Sequence, residues 1–448
     1  MIASSITSFD QLASTSKADI IEIRFDLFDH LDLSSPIKFE KPTIFTLRSV
    51  RQGGKFQGTE KERFQLIEKL LKWKPTFFDI EADTDPAFIE KIAKEYPDTK
   101  FIGSHHDFEK TPENLEFPSN PHFALSKLVT FANTSLDGFR MLKALKGKKN
   151  VIGHCMGENG SFTRVLGKIC GSAITYAGKT ASGQFSVDDL IEVYRYKELN
   201  SETAIWAVIG TPIQQSIGPH VHNAVMKRAH INGVYVKIEV QPQELQTFFK
   251  VIKDFSFKGL SVTMPLKELV IPYLAVANAS SINTIKIGEK MEGWSTDGMG
   301  AVEAIQKHLP LKGKKVVILG AGGAAQSIYL ELIKIGAEVW VLNRTVEKAK
   351  KLAGPRGGDL NDLKKLEYDL LIDATPEALP VNPEDIHKNA WFFDVKLRPS
   401  KDALHKYLSK NIYGWEMFQY QALYQDEIWF GIKPYDQIEQ LVKDAVWR

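Results

Sequence analysis

The chain has 448 residues, enough for two or three domains of roughly 150–200 residues each. Charged residues make up 25% and hydrophobic ones 43%, and 26 Phe, 13 Tyr and 8 Trp call for packed cores, which excludes disorder as the dominant state. The net charge of +2 gives no basic surplus for nucleic acid or a membrane surface, and two cysteines, Cys155 and Cys170, build neither a disulfide framework nor a Cys-rich zinc site.

The start of the chain, MIASSITSFDQLAS, lacks the basic and apolar regions of a signal peptide. No apolar stretch approaches the ~20 residues of a spanning helix. The expectation is a cytoplasmic protein that acts on small molecules, without a metal, a nucleic-acid partner or a membrane. The sequence carries no sign of oligomeric state.

Strand-length apolar runs come near Met1–Ser4, Ile20–Arg24, Thr43–Leu47, Phe77–Glu81, Phe101–Ser104, Ala124–Val129, Val151–His154 and Ala173–Tyr176. Between several of them lie stretches with the 3.6-residue period of helices, such as EKERFQLIEKLLKWK and DPAFIEKIAKEYP. Eight strands alternating with helices predict a closed parallel barrel over residues 1–200, small for that fold, with an open doubly wound sheet as the alternative. The polar stretch Lys197–Thr203 ends it, and AIWAVIG opens a second α/β alternation. That half divides into a first lobe over 201–300, a dinucleotide-binding lobe over 301–425, and a C-terminal helix over 426–448 that returns to the first lobe.

In a parallel barrel, chemistry sits at the C-terminal ends of the strands. Those ends carry Glu22, Arg24, Arg48, Glu81, His106 and Lys127, with Arg164 and Gln184 in the loops GENGSFTR and TASGQ. Lys127 lies among apolar residues in HFALSKLVTFA. Burial lowers a lysine's pKa and makes it an amine nucleophile toward a ketone, the alternative being a strand-end lysine that reaches water. His106, 21 positions earlier, is either a general base near neutral pH or a structural histidine. His105, facing the other way on an extended segment, has no role.

These residues lie in EIRFDL, FTLRS, FDIEAD, SHHDFEKTP, ALSKLV, GSFTR and ASGQFSVDDL, and in this order the segment from about residue 20 to 190 resembles type I 3-dehydroquinate dehydratase. The resemblance implies that Lys127 forms an imine with the substrate ketone at C3. It implies that His106 removes the C2 proton and assists departure of the C1 hydroxyl. Glu22, Arg24, Arg48, Arg164 and Gln184 would hold the hydroxyls and carboxylate. One departure is Gln52-Gly53-Gly54, where that family often has an acidic residue before the glycines. The short N-terminus is another, and it bears on the first strand.

The clearest motif of the second half is VVILGAGGAAQSIYLELIKIGAEVWVLNRT, in which a buried strand meets Gly320, Gly322 and Ala325 at the G-x-G-x-x-A spacing and a helix follows. This is a Rossmann-type turn for a pyrophosphate at a helix N-terminus. The next strand ends in Asn343-Arg344-Thr345 with no acid for a ribose 2′-hydroxyl, so Arg344 points to the 2′-phosphate of NADP. Gly320, Gly322 and Arg344 are the cofactor residues that this pattern points to.

The segments AIWAVIGTPIQQSIGPHVHNAVM, KGLSVTMPLKE, SINTI, GWSTDGMG and YGWEMFQYQALYQDEIWFG resemble shikimate dehydrogenase over nearly all of residues 205–448. Carried over, the resemblance makes Lys267 and Asp297 the catalytic pair, Ser216, Thr263, Asn283 and Gln421 substrate ligands, and Gly320, Ala321, Gly322, Gly323, Ala324, Asn343, Arg344 and Thr345 the residues that bind NADP. Taken alone, Lys267 reads as a helix-start surface residue and Asp297 as a turn or N-cap residue. The chain departs from that family at Gly218, Ser261, Ser295, Leu397 and the loop DATPEAL. Gly218 leaves room beside the substrate carboxylate, which opens the alternative of quinate as substrate. Together the resemblances imply a fusion that dehydrates 3-dehydroquinate and then reduces 3-dehydroshikimate with NADPH. The four intact residues His106, Lys127, Lys267 and Asp297 argue against a binding protein that has lost its chemistry.

Overall fold

Eight parallel strands build the first sheet of the computed structural model, which describes residues 1–29, 37–376, 379–398, 408–432 and 438–447. They are β1 (Ile2–Ile6), β2 (Ile20–Arg24), β3 (Thr43–Thr46), β4 (Phe77–Glu81), β5 (Lys100–His106), β6 (Phe123–Phe131), β7 (Val151–Met156) and β8 (Thr175–Ala177). The order is β7-β6-β5-β4-β3-β2-β1-β8. The ring is completed by the Val151–Ser172 bridge and by Ala173 N–H donating to the Val151 carbonyl at 2.8 Å. The sheet is therefore a nearly closed barrel, and the open alternative does not hold. The first strand is in place, because β1 pairs with both β2 and β8.

All eight strands send a side chain into one interior layer. Ala3, Ile20, Ile44, Ile102, Ile152 and Tyr176 pack there with Phe77 and Leu125. Outward-facing Phe45, Phe78 and Ile80 pack with Ile67, Leu70 and Leu71 of α1 (Glu60–Leu71). That helix starts at a Thr59/Glu62 capping box. Three further helices, α2 (Pro86–Glu95), α3 (Ser135–Leu145) and α4 (Thr163–Ile169), follow β4, β6 and β7. The crossover from β1 to β2 holds only a 3-10 helix (Phe9–Thr15) and that from β5 to β6 holds no helix, which is how the barrel fits in about 200 residues.

The chain divides into two compact units: Met1–Ala204 with Asn232–Val240 and Lys250–Ser256, and Ile205–Ile231 with Gln241–Phe249 and Phe257–Arg448. Lys197–Thr203 contains no helix or strand. Beyond it come β9 (Ala204–Gly210), α5 (Gly218–Arg228), β10 (Gly233–Glu239), α6 (Leu245–Val251), β11 (Phe257–Val262), β12 (Val276–Ala277), β13 (Thr284–Ile287), β14 (Met291–Trp294) and α7 (Asp297–Gln306). The sheet order is β10-β9-β11-β13-β14-β12, parallel from β9 to β11 and antiparallel through β13 and β14.

A second six-stranded sheet follows, interleaved with helices: β15 (Lys315–Leu319), α8 (Gly323–Ile335), β16 (Glu338–Leu342), α9 (Val346–Ala353), β17 (Gly357–Gly358), β18 (Leu370–Asp373), β19 (Trp391–Asp394) and β20 (Asn411–Tyr413). All its pairings are parallel, in the order β17-β16-β15-β18-β19-β20. This is the doubly wound arrangement whose switch point binds dinucleotides. Two helices close the chain, α10 (Gly414–Phe430) and α11 (Ile438–Trp447). α10 runs through the expected boundary at 425, and Val442, Ala445 and Val446 of α11 pack with Val221 and Val225 of α5. α10 lies very close to α7: a Cβ on Gly300 would be 2.7 Å from Gln421 N.

Candidate active sites

The C-terminal ends of the barrel strands converge on Lys127. Because β6 runs to Phe131, Lys127 is the fifth of nine strand residues rather than at the strand end, and it is 3% exposed. Its Nζ donates to Asp79 Oδ2 at 2.9 Å and lies 3.9 Å from the centre of the Tyr176 ring. Asp79 Oδ1 accepts from Ser104 Oγ at 2.6 Å and Arg48 Nη2 at 3.1 Å. Burial, partly offset by the Asp79 charge, lowers the Lys127 pKa. Burial works to raise that of Asp79, but the Lys127 and Arg48 charges outweigh it and hold the carboxylate well below its usual range.

His106, at the end of β5, is 8% exposed, and its neighbour His105 is exposed. Burial, then the charges of Arg48 and Lys127, push the His106 imidazole well below its ordinary pKa, so it is a neutral base. Its backbone N–H donates to Gln52 Oε1 at 3.0 Å, which gives the Gln52-Gly53-Gly54 departure a structural use. Glu22 accepts from Ser5 Oγ at 2.5 Å and Thr46 Oγ1 at 3.1 Å. Arg24 grips Asp26 through Nε and Nη2 at 2.9 and 2.8 Å. Glu81 is engaged by Arg63 and the Ser49 N–H. Gln184 Oε1 accepts from the Thr180 and Ala181 N–H groups at 2.8 and 3.0 Å, leaving its amide nitrogen to donate elsewhere.

Arg164 corrects the sequence reading. It is the second residue of α4 rather than a loop residue, because TRVLGKI forms a helix that buries Val165 and Leu166. Arg164 is 2% exposed, its Nε and Nη1 have no hydrogen-bond partner among the described residues, and burial lowers its pKa to about 10. Two residues of the mouth were missed, Asp79 and His154. Both were visible as polar residues inside apolar strands, in FFDIE and VIGHCM. Cys155 faces Thr130 and Thr111 at 3.3 and 3.7 Å, and burial raises its thiol pKa to about 11. It and Met156 are the last two residues of β7.

In the second unit, Lys267 Nζ donates to Asp297 Oδ2, and Asn283 Nδ2 donates to Asp297 Oδ1 at 2.8 Å. Asp297 is the first residue of α7 and 2% exposed, while Lys267 sits in a turn and is partly buried. Asn283 Nδ2 also donates to Thr296 Oγ1 at 2.9 Å, so both amide hydrogens are engaged within the protein. Ser216 Oγ accepts from Gly218 N–H at 3.3 Å, and Gly218 opens α5. Thr263 follows β11, and Gln421 Nε2 lies 3.5 Å from Gln425 Oε1. Gln425, which the sequence reading did not single out, accepts from Ser261 Oγ at 3.1 Å and donates to the Asn283 carbonyl at 3.0 Å. Ser295 Oγ is 2.7 Å from Ser327 Oγ, and Leu397 packs against the apolar cluster shared by α5, α10 and α11. Glu377 and Ala378 of the DATPEAL loop lie outside the described residues.

The dinucleotide turn fits its expected ligand. Gly320 has φ +103°, and Gly322 caps α8, so the cap residue supplies no side-chain partner to the first N–H groups of that helix. A Cβ at Gly322 would meet nothing within 4 Å, leaving open space for a phosphate. A Cβ at Gly323 would lie 2.6 Å from Ser281 Oγ and 3.8 Å from Lys267 Cδ, so the turn adjoins the lysine–aspartate pair. Ala321 and Ala324 flank it and are half-buried. At the end of β16, Asn343 Nδ2 donates to the Thr345 carbonyl at 2.9 Å. Arg344 is exposed and makes no ion pair among the described residues.

A buried lysine in a barrel mouth, upstream of a lysine–aspartate pair beside a nucleotide turn, marks a two-activity enzyme: an imine-forming lyase joined to a nicotinamide-dependent oxidoreductase. Comparison with known proteins agrees. Residues 4–201 match the type I 3-dehydroquinase family, residues 208–285 the shikimate dehydrogenase substrate binding domain, and residues 303–391 the shikimate / quinate 5-dehydrogenase family. The shikimate biosynthesis protein AroDE of Chlamydia pneumoniae is 32% identical, over 94% of this chain and 91% of that protein. The chloroplastic bifunctional 3-dehydroquinate dehydratase/shikimate dehydrogenase of Arabidopsis thaliana is 29% identical, over 93% and 78%. The structure of the Thermus thermophilus shikimate 5-dehydrogenase in complex with NADP(H) and shikimate is similar to 54% of this chain and 100% of its own, with 29% identity and a TM-score of 0.50.

The chain belongs to the family of bifunctional proteins that join a type I 3-dehydroquinase to a shikimate dehydrogenase. The first domain is a lyase, the second an oxidoreductase, and the cofactor is NADP.

Proposed function

We propose that the barrel dehydrates 3-dehydroquinate to 3-dehydroshikimate and the second domain reduces that product to shikimate, with the residues assigned as follows. The observation that carries the reading is Lys127, buried against Asp79 with a lowered pKa. Its neutral amine attacks the C3 ketone, and the resulting iminium acidifies the C2–H bond for neutral His106. Arg164, with two unpartnered nitrogens, is the anchor for the carboxylate. Glu22, Arg24, Arg48 and Gln184 surround the ring hydroxyls.

In the second domain, Lys267 donates a proton to the carbonyl oxygen as alkoxide charge develops, and Asp297 orients the lysine. Asn283 holds Asp297, and Ser216, Thr263 and Gln421 complete the substrate pocket. The turn Gly320–Ala324 and Asn343, Arg344 and Thr345 hold NADPH, which supplies the hydride. The quinate alternative rests on Gly218 alone, and the relatives' names favour shikimate. No described helix is long and apolar enough to cross a membrane. We assign the protein to the cytoplasm, with freely diffusing small molecules as its partners.

Replacing Lys127 by Ala is expected to abolish dehydration and borohydride trapping of substrate, with NADP⁺ reduction by shikimate unchanged. Dehydration that survives the change rules out the imine. Initial rates with shikimate and quinate decide the second substrate, and shikimate is expected to be the faster.

A further inference from the structure

The barrel mouth contains a second imidazole that the assignments above leave unused. In the strand register His106 pairs with Val129, and Val129 pairs with His154. The two histidines therefore occupy one row on the strands flanking β6, two residues nearer the C-terminal end than Lys127. His154 is 4% exposed, and its ring centre lies 5.8 Å from that of Tyr176, the ring that Lys127 Nζ also contacts. A core histidine finds partners for its nitrogens. Among the described residues His154 Nδ1 has none, and neither do the Tyr176 hydroxyl or the Arg164 Nε and Nη1 atoms. Cys155, on the opposite face of the same strand, has two hydroxyl neighbours.

Resting on the dehydratase reading, we propose that His154 touches the substrate and donates an N–H hydrogen bond to the oxygen that leaves C1. Arg164 takes the carboxylate on C1, and Lys127 is joined to C3. C1, which carries the leaving oxygen, thus lies between the two groups those cations hold. Their charges are also the ones His154 feels: burial, then Arg164 and Lys127, hold its imidazole well below the ordinary pKa. A neutral imidazole transfers no proton here but presents one N–H to developing negative charge. The C2–H bond breaks with its proton passing to His106, and the electron pair enters the iminium to form an enamine. The enamine then expels the C1 oxygen, which leaves as water with the proton His106 returns. His154 stabilises that departing oxygen, dividing between two residues the work assigned above to His106 alone.

The test is His154→Leu and His154→Gln in the full chain. For His154→Leu a fall in dehydratase kcat of about 100-fold is expected, the size of losing one oxyanion donor. KM should change little, and borohydride trapping on Lys127 and dehydrogenase activity should persist. His154→Gln, which keeps an N–H donor, should recover part of the loss. A kcat for His154→Leu within about threefold of the parent overturns the proposal, since a donor at the reacting centre is worth far more. So does loss of trapping that Gln does not restore, which makes His154 a packing support for Lys127. Absence of trapping in the unmodified protein instead removes the imine reading itself.

Discussion

Asp79 limits how far burial lowers the pKa of the barrel lysine. It is the anion nearest Lys127 and opposes the burial that favours the free amine. In Asp79→Asn the lysine loses that support and its pKa falls further, so the amine is free at lower pH. The acid limb of dehydratase kcat/KM, which tracks the unliganded lysine, is expected to move down by about one pH unit. A limb that stays in place belongs to another group. The kcat profile reports the imine complex, where His106 alone must be unprotonated. Because burial and nearby cations lower the His106 pKa, kcat should hold to well below the pH at which an ordinary histidine protonates. On the nucleotide side, Arg344→Ala should raise KM for NADPH about tenfold, the loss of one exposed charge-assisted contact, with little effect on NADH. Equal losses with both cofactors would remove Arg344 from the 2′-phosphate.

At the scale of elements, the approach of α7 to α10 depends on a missing side chain. A Cβ at Gly300 would stand 2.7 Å from Gln421 N and 2.9 Å from the Met417 carbonyl oxygen, backbone atoms that cannot rotate aside. Gly300→Ala is expected to destabilise the dehydrogenase by about 1–3 kcal/mol and, by shifting Gln421, to raise KM for shikimate. Heat inactivation and kinetics of both activities check this, and the dehydratase should be unaffected. Elements of this kind were largely legible. The strands of the barrel and the turn at Gly320 announce themselves through apolar runs and glycine spacing. What was not legible depends on register and helix starts. The glycines of GENGS suggest a loop, yet α4 begins at Thr163 and carries Arg164 inward. β6 extends to Phe131, which sinks Lys127 below the rim. Asp79 and His154 acquire meaning only once neighbouring strands align them with the lysine, information that periodicity along one strand does not contain.

For the whole molecule, the assignments make the two sites chemically separable. A mixture of Lys127→Ala and Lys267→Met proteins, each inactive in the full conversion, should together turn 3-dehydroquinate into shikimate. Failure of the mixture, with each surviving half-reaction intact, would show that the intermediate must stay within one chain. The barrel itself has an uneven circumference. Every neighbouring pair of strands around it shares a ladder of three or more residue pairs except β7 and β8, which meet through Val151–Ser172, the Ala173 N–H and a 3.2 Å bond from Gly153 N–H to Ser172 Oγ. Mechanically it is a strip whose two ends are buttoned together, not a uniform hoop. Thermal opening should start at that button, and amide hydrogens of Gly153 and Ala173 should exchange with solvent before those of β4 and β5. Tyr176 stands on one flap and His154 on the other, so the wall expected to open first is the one beside the reactive lysine.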